Sequence, residues 1–450
     1  LKIAHFSDLH YSPERLDEAD HCFGFAVEDA IARNARVAVI SGDSTDHRLD
    51  AHSPALNALA RRVHRLAAAM PVIMLQGTFS HEPPGTLDNF ALMGSANTVF
   101  VADRIQQVAF ANGGFLASAG PVFSEKELAL VIAMRSDAVF TCLPTINKGQ
   151  FAASVGALAA ATDLGDVLGT YLAASGTVNA QLREAGIATV GISHGTVVGC
   201  ETEHGVTMAG FDHEFSLSAL FDAQCSAFLL GHIHKHQSWE SDGRRIAYPG
   251  SIGRFHFGEQ GEKGYLLWDV DTQSASAELV ATPARRMVCI DFDGPPDMER
   301  LATLAAASGD AFVRIRWQID EEHRQAVDRG AIEAMFAHAP GVKLEPRILP
   351  VVRSRAQGIS LETSVEAKLV RWCGLASVES PPLLQRLQML ETGDAGSIAD
   401  AVLDELEGAT EAVALSLVQT AATDVEACSK PSLAVAAAST DWLEGDLFAA

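Results

Sequence analysis

The chain is poor in the features that staple small secreted domains. Its seven cysteines (Cys22, Cys142, Cys200, Cys225, Cys289, Cys373 and Cys428) are scattered through 450 residues without a CxxC pair. That spacing excludes a disulfide scaffold or zinc ribbon and points to reduced thiols in a cytoplasmic protein. Positive charge is scarce as well, with 33 Lys and Arg against 57 Asp and Glu and a formal net charge of -24. Such a balance excludes a surface that coats nucleic acid indiscriminately, but not a local basic channel. The excess is uneven, since positions 360–450 hold fifteen acidic residues against four basic ones. No apolar run reaches the about eighteen residues of a membrane span. The opening segment, Leu1–Ser7, reads as a strand rather than a signal peptide. The sequence also has no P-loop, no GxGxxG at a strand–helix junction and no nucleophilic triad.

What it does have is alternation. At 48% hydrophobic and 20% charged, the composition is globular, and the length suits two or three domains. Lys2–Ser7, Arg36–Ser41, Pro71–Gln76, Ala188–Ser193 and Ala227–Leu230 read as buried strands. Helical patterns such as His21–Asn34 and Ser53–Ala69 lie between them, which indicates a layered α/β domain over residues 1–282. Gln150–Gly186 reads as a helical insertion. Arg245–Tyr248, Gly264–Val270 and Ser276–Ala281 read as a meander closing the sheet.

A small α/β cap is expected over residues 283–352. Its strands are Met287–Asp293, Ala311–Ile319 and Val342–Ile348, alternating with helices Asp297–Ala307 and Glu321–Ala337. Residues 359–406 read as an amphipathic helical region with Leu369, Trp372, Leu383, Leu384, Leu387 and Leu390 as its stripe. The acidic, Ala/Ser-rich remainder, 407–450, is expected to be disordered.

Metal-ligand residues recur at the strand ends. They are Asp8-Leu-His10, Gly42-Asp43-Ser-Thr-Asp46, Gly77-Thr-Phe-Ser80-His81-Glu82, Ile192-Ser-His194 and Gly231-His232-Ile-His234. Residues two apart share a strand face, so Asp8 and His10, or His232 and His234, leave a strand end together. Asp43 follows a glycine that allows a tight turn beneath a pair of cations. Mixed N and O donors without thiolate suit Mn²⁺, Fe²⁺ or Zn²⁺ better than Ca²⁺. Each rung alone has a bland reading as a cap, a turn or a surface pair; their joint order at successive strand ends does not.

With this ladder the chain resembles the calcineurin-like metallophosphoesterase superfamily, and within it the SbcD-type nucleases of double-strand-break repair. The resemblance is carried by Ile3-Ala-His-Phe-Ser-Asp-Leu-His10, Gly231-His-Ile-His-Lys-His-Gln237, Tyr248-Pro-Gly-Ser-Ile252, Arg254, Phe257-Gly-Glu259 and Glu262-Lys-Gly-Tyr265. It is sharp over residues 1–270, topological over 285–350 and weak beyond.

The resemblance implies a β-sandwich flanked by helices and two divalent cations, most suitably Mn²⁺. Asp8, His10, Asp43 and His234 would hold one, and Asp43, His194 and His232 the other. The family completes the second site with an Asn directly before its catalytic histidine. Placing His81 on that histidine puts Ser80 on the Asn, whereas Thr78 in that place would leave Phe79 where histidine is required. Ser80 is therefore the expected, weaker ligand, and His81 the acid that protonates the leaving oxygen. Asp46 is divided between loop support and a direct catalytic role. Ser251 and Arg254 are the expected substrate contacts.

The resemblance further implies DNA as substrate, an SMC-family ATPase of the SbcC kind gripped by the helical region, and a homodimer. Arg61, Arg62, His64 and Arg65 form a basic cluster that reads as a solvated helix face, with phosphate contact as the alternative. His204, His213 and His236 read as solvated loop residues. Asp446-Leu447-Phe448 resembles a sliding-clamp peptide, although chance accounts for so short a match. Two other activities fit the same ladder: a phosphodiesterase acting on nucleotides or small diesters, and a DNA-end tether with a weakened metal site.

Overall fold

The apolar tetrads Val37–Ile40 and Val72–Leu75 have no polar face, the mark of parallel strands covered on both sides. In the computed structural model, which describes residues 1–93, 96–145, 164–202, 214–350, 358–406 and 408, both are central strands. The first sheet has six strands in the order Ala275–Ala281, Gly264–Val270, Lys2–Phe6, Val37–Ile40, Val72–Leu75 and Val99–Ala102. The second has seven, in the order Gln237–Ser241, Arg244–Tyr248, Ala227–Gly231, Ala188–His194, Ala138–Leu143, Gln106–Ala111 and Gly114–Ala117.

Period-two alternation sorts their side chains. Ile3, Val37, Val39 and Ile73 meet Phe110, Phe140, Val190, Ile192 and Leu229 in the core between the sheets. Their neighbours Phe6, Ala38, Ile40 and Met74 turn outward onto Phe23 and Val27 of helix Leu16–Ala32 and Leu59 and Val63 of helix Pro54–Ala69. Outside the second sheet, Phe228 and Leu230 pack on Leu172 and Leu220, and Val139 on Val131 and Leu182. The result is a helix–sheet–sheet–helix sandwich. Burial of each large apolar side chain contributes about 1.5–3 kcal/mol, so a one-residue slip that inverted a whole strand is prohibited.

Several expectations change. Arg244–Tyr248 pairs in parallel with Ala227–Gly231 in the second sheet, while Gly264–Val270 pairs antiparallel with Lys2–Phe6 in the first. The expected meander is therefore divided between two sheets. The strands between residues 99 and 143 are short and not among the expected ones; of them, Gln106–Ala111 opens on two glutamines. Gln107 is nonetheless fully buried, its amide donating to Thr141 Oγ1 at 3.3 Å and Asn179 Oδ1 at 3.1 Å.

The chain divides into two units, 1–350 and 351–450. Within the first, Met287–Phe292, Phe312–Asp320 and Val342–Leu349 form a separate three-stranded parallel sheet with its own core of Ile290, Val313, Ile315, Trp317 and Phe336. The single helix expected over Glu321–Ala337 is a 3-10 segment, Glu321–Ala326, followed by helix Arg329–Met335. The Asp328 carboxylate accepts from Ala331 N and starts that helix afresh.

The second unit contains helices Val365–Ala376 and Ser380–Thr392, and a helical stretch over 395–406. Six of the cysteines are free thiols. No helix among the described residues is long and apolar enough to cross a membrane. Cys428, Asp446-Leu447-Phe448, His204, His213 and Gln150–Asp163 of the expected insertion lie outside the described residues.

Candidate metal centre

Lys2–Phe6, Val37–Ile40 and Val72–Leu75 run parallel, as do Ala188–His194 and Ala227–Gly231. Their carboxyl ends therefore open on one edge of the sandwich, the edge where α/β sheets bind ligands. The connecting turns are bound to each other: Asp8 N donates to Gly42 O, and Leu9 N and His10 N both to Asp43 O, at 2.9–3.1 Å. Asp8, His10, Asp43 and His232 all have positive φ, at 51°, 46°, 51° and 99°. Left-handed backbone at non-glycine residues costs on the order of 1–3 kcal/mol each and gathers at functional sites. Gly42, at φ 104°, could carry no side chain, because a Cβ there would lie 2.3 Å from His194 Nδ1.

Four overlapping donor groups result among the described residues, and two of them share no residue with each other and hold the six strand-end ligands. In the first, donor atoms of Asp8, His10 and His234 lie within 4.8 Å of one another. His10 Nδ1 stands 3.2 Å from Asp46 Oδ1, and His234 Nδ1 2.7 Å from Glu259 Oε1. The His234 Nδ1 is thus hydrogen-bonded to a carboxylate, the His10 Nδ1 lies beside one, and the two Nε2 atoms face each other at 2.9 Å. Two imidazole lone pairs at that distance repel unless a cation or proton lies between them. The residues present fit a metal ion.

The second group is Asp43, His194 and His232. His194 Nδ1 donates to Ser41 O at 2.8 Å, which aims Nε2 at Asp43 Oδ2, 3.2 Å away. Burial disfavours the imidazolium, yet the Asp43 carboxylate pushes His194 up to about 10. For Asp43, burial works in the opposite sense, and the charge of His194 outweighs it, holding the carboxyl well below its usual range.

The ladder departs from expectation at one rung. Ser80 is exposed, and the hydroxyl that stands in the second group is that of Thr78. Its Oγ1 lies 3.2 Å from both Asp43 Oδ2 and His194 Nε2, and its N–H donates to Asp43 Oδ1 at 2.7 Å. His81 N and Glu82 N both donate to Thr78 O, at 2.9 and 2.7 Å. That tight turn lifts Phe79 and Ser80 out of the path and returns His81 to the site, so the objection to Thr78 disappears. Glu82 closes the loop from below, accepting from Ser44 N at 2.5 Å and Gly77 N at 2.6 Å. Burial, then the charge of Asp43, pushes Glu82 up to about 7.

His81 stands at the rim, its ring centroid 5.0 Å from that of His10. Its Nδ1 donates to the carbonyl of Asp46, which fixes the tautomer and leaves Nε2 for proton exchange. The half-exposed Asp46 carboxylate lies 3.2 Å from His10 Nδ1, and the neighbouring His10 is the first cause that draws it down to about 2.

Other sequence candidates have structural duties. The Arg254 guanidinium donates to the carbonyls of Glu259, Gly261, Ala284 and Arg285 at 2.8–3.2 Å. Buried Ser251 donates to Gly253 O at 2.9 Å. Neither is arranged for the substrate contact expected of it. Arg62 pairs with Asp20 and Arg65 with Glu28, so two of the three arginines of that cluster are held by carboxylates. His236 Nδ1 donates to Tyr248 O at 2.6 Å rather than standing in solvent.

The sequence reading set Thr78 aside in favour of Ser80 and missed the roles of Glu259 and Lys263. A positional signal for Thr78 existed: it follows its strand by three residues, as Asp43 follows the neighbouring one. Glu259 and Lys263 stood within the quoted Phe257-Gly-Glu259 and Glu262-Lys-Gly-Tyr265 motifs, but nothing local tied them to His234. Beside the donor groups, a groove of about 680 Å³ is lined by Arg15, His256, Phe257, Arg314, Arg316 and Lys343, with Asp291 and Cys289. It adjoins the site through His256, whose ring stacks on that of His234 at 5.7 Å.

No family model and no curated protein matches the chain. Among solved structures, it is similar to GAP50, the anchor in the inner membrane complex of Plasmodium, with 12% identity and a TM-score of 0.40 over 63% of this chain and 85% of that one. It is also similar to a dimetal phosphatase from Danio rerio, with 10% identity and a TM-score of 0.35 over 62% of this chain and 98% of that one. Likenesses this remote carry no argument about chemistry, so the reading of the site rests on its own geometry.

Proposed function

We propose that the chain is a two-metal phosphodiesterase of the calcineurin-like superfamily that cleaves DNA in the manner of SbcD-type nucleases. The observation that carries the reading is the pair of donor groups, Asp8–His10–His234 and Asp43–His194–His232, with a tautomer-fixed histidine at their rim. Two divalent cations held there, Mn²⁺ suiting the N/O donors, would supply Lewis acidity and a water acidified toward neutrality. Asp43, whose carboxylate feels the charges of both His194 and His10, would be the carboxylate the two sites share. His81 in its protonated form gives the Nε2 proton to the departing oxygen as the P–O bond breaks, while the Asp46 carbonyl keeps Nδ1–H in place.

The groove lined by Arg15, Arg314, Arg316 and Lys343 supports a chain-like polyanion over a small diester. Phosphates flanking the scissile one would find guanidinium and ammonium partners there. Asp291 and Glu345 neutralise part of that charge, the first pairing with Arg316 at 2.6 Å and the second with Lys343 at 2.6 Å. Contact with the backbone is therefore modest, in keeping with an acidic chain. The exposed Val365, Val370, Trp372, Leu375 and Leu390 of the C-terminal helices support docking of an SMC-type coiled coil there.

The test is hydrolysis of linear duplex DNA and of bis-p-nitrophenyl phosphate under Mn²⁺, with wild type and His81→Ala. Cleavage of DNA, lost in His81→Ala while cation binding persists, is expected. Cleavage of the small diester alone refutes the nuclease reading.

A further inference from the structure

Each donor group has one carboxylate and two imidazoles, but their surroundings differ. Behind the imidazoles of the first stand the carboxylates of Asp46 and Glu259, 3.2 Å from His10 Nδ1 and 2.7 Å from His234 Nδ1. The second, Asp43 with His194 and His232, is joined instead by one oxygen from a neutral side chain, Thr78. A hydroxyl is a poorer donor to a hard divalent cation than a carboxylate or an amide carbonyl, because less negative charge resides on its oxygen.

The position of Thr78 is not accidental to the turn. Its backbone N–H is fixed to Asp43 Oδ1 at 2.7 Å, and its Oγ1 is equidistant, at 3.2 Å, from the two donor atoms that define the group. Gly77, next to it, admits no Cβ, which would lie 2.3 Å from Asp43 N. The backbone of residues 77–78 is therefore pressed against the turn that carries Asp43. Without a cation, the Thr78 hydroxyl serves as a hydrogen-bond donor to Asp43; with one, its oxygen faces the same point as Nε2 of His194.

We propose that Thr78 Oγ1 is a ligand of the cation held by Asp43, His194 and His232, and that this neutral ligand makes the second site the weaker of the two. The inference rests on the two-metal reading. The first cation then enters at Asp8–His10–His234, and the second follows only at higher concentration. Occupancy of the second site, and with it the competence of the centre, becomes a function of the free divalent cation concentration.

The experiment is calorimetric titration of the full chain with Mn²⁺, with electron paramagnetic resonance to count bound ions and detect the coupled pair. Wild type, Thr78→Val, Thr78→Asp and Thr78→Asn are compared, and thermal melts check the fold of each. Two binding steps are expected for wild type. Thr78→Val, matched in shape, is expected to weaken the second step on the order of tenfold and leave the first in place. Thr78→Asp and Thr78→Asn are expected to tighten the second step and bring the coupled signal in at lower Mn²⁺. Two unaltered steps in all the variants overturn the role of Thr78 and leave the two-metal reading intact. A single step in wild type and every variant overturns that reading as well.

Discussion

Replacing Glu259 by Gln separates two things this residue does at once. Glu259 Oε1 accepts from His234 Nδ1 at 2.7 Å, while Oε2 accepts from Phe255 N at 3.0 Å and faces Lys263 Nζ at 3.2 Å. The side chains of Glu259 and Lys263 are 1% and 0% exposed. Burial opposes the charged form of Glu259, but the His234 hydrogen bond and charge prevail and draw it down to about 2, so it is a carboxylate throughout the working range. A Gln amide has one acceptor oxygen, and turning that oxygen to His234 points its NH₂ at two donors. The buried ammonium loses its anion in either orientation, and the amide cannot serve the histidine and the two donors together.

Loss of the partner that orients a metal-ligating histidine costs roughly 10–100-fold in affinity, or about 1.4–2.7 kcal/mol. Loss of one member of a buried ion pair costs about 3–5 kcal/mol of stability. Urea unfolding and Mn²⁺ calorimetry on Glu259→Gln are expected to show both losses. In the double variant Glu259→Gln/Lys263→Met, the stability loss is expected to fall short of the sum of the single losses, while the first Mn²⁺ step stays weak. Unchanged Mn²⁺ affinity in Glu259→Gln would show that His234 is held by something else. Strictly additive stability losses would show that the Glu259–Lys263 pair does not act as a unit.

Two further outcomes are expected. Burial, followed by the charge of His236, draws His5 down to about 3 from 6.5, so the unfolded chain binds the proton more readily. The stability it contributes is complete above pH 6.5 and is lost as pH falls toward 3. About 2 kcal/mol is gone by pH 5. Glu82 and His194, both shifted upward, act in the opposite sense in either protein, so the test is the difference: from pH 7 to pH 5, urea unfolding should show wild type losing about 2 kcal/mol relative to His5→Gln, and parallel changes would refute it. Mn²⁺ at 100 times its dissociation constant should stabilise the fold by about 2.7 kcal/mol per site. Chelator should reverse the gain and Asp43→Asn should reduce it, and a melting temperature indifferent to Mn²⁺ would argue against both donor groups.

Much of the site was legible because its pattern is local. A buried strand announces itself by composition, and a ligand one to three residues beyond it needs no knowledge of the rest of the chain. Asp8, His10, Asp43, His194, His232 and His234 were read in this way, and the structure gathers them into two groups. The layered α/β arrangement was legible for the same reason. Its division into two sheets was not, since the pairing partner of Arg244–Tyr248 is set by tertiary packing rather than by its own pattern.

The sequence alone thus determined which residue types stand at the strand ends and in what order. Only the tertiary structure decided what touches them. Ser80 and Thr78 are two hydroxyl residues in one loop, and the turn through Thr78 O places one in solvent and the other against Asp43. Arg254 looked available until four carbonyls, two from its own loop and two about thirty residues away, enclosed it. Glu259 meets His234 across 25 residues and Thr78 meets His194 across 116. Contacts of that separation depend on the path of the folded chain, and no local pattern encodes them.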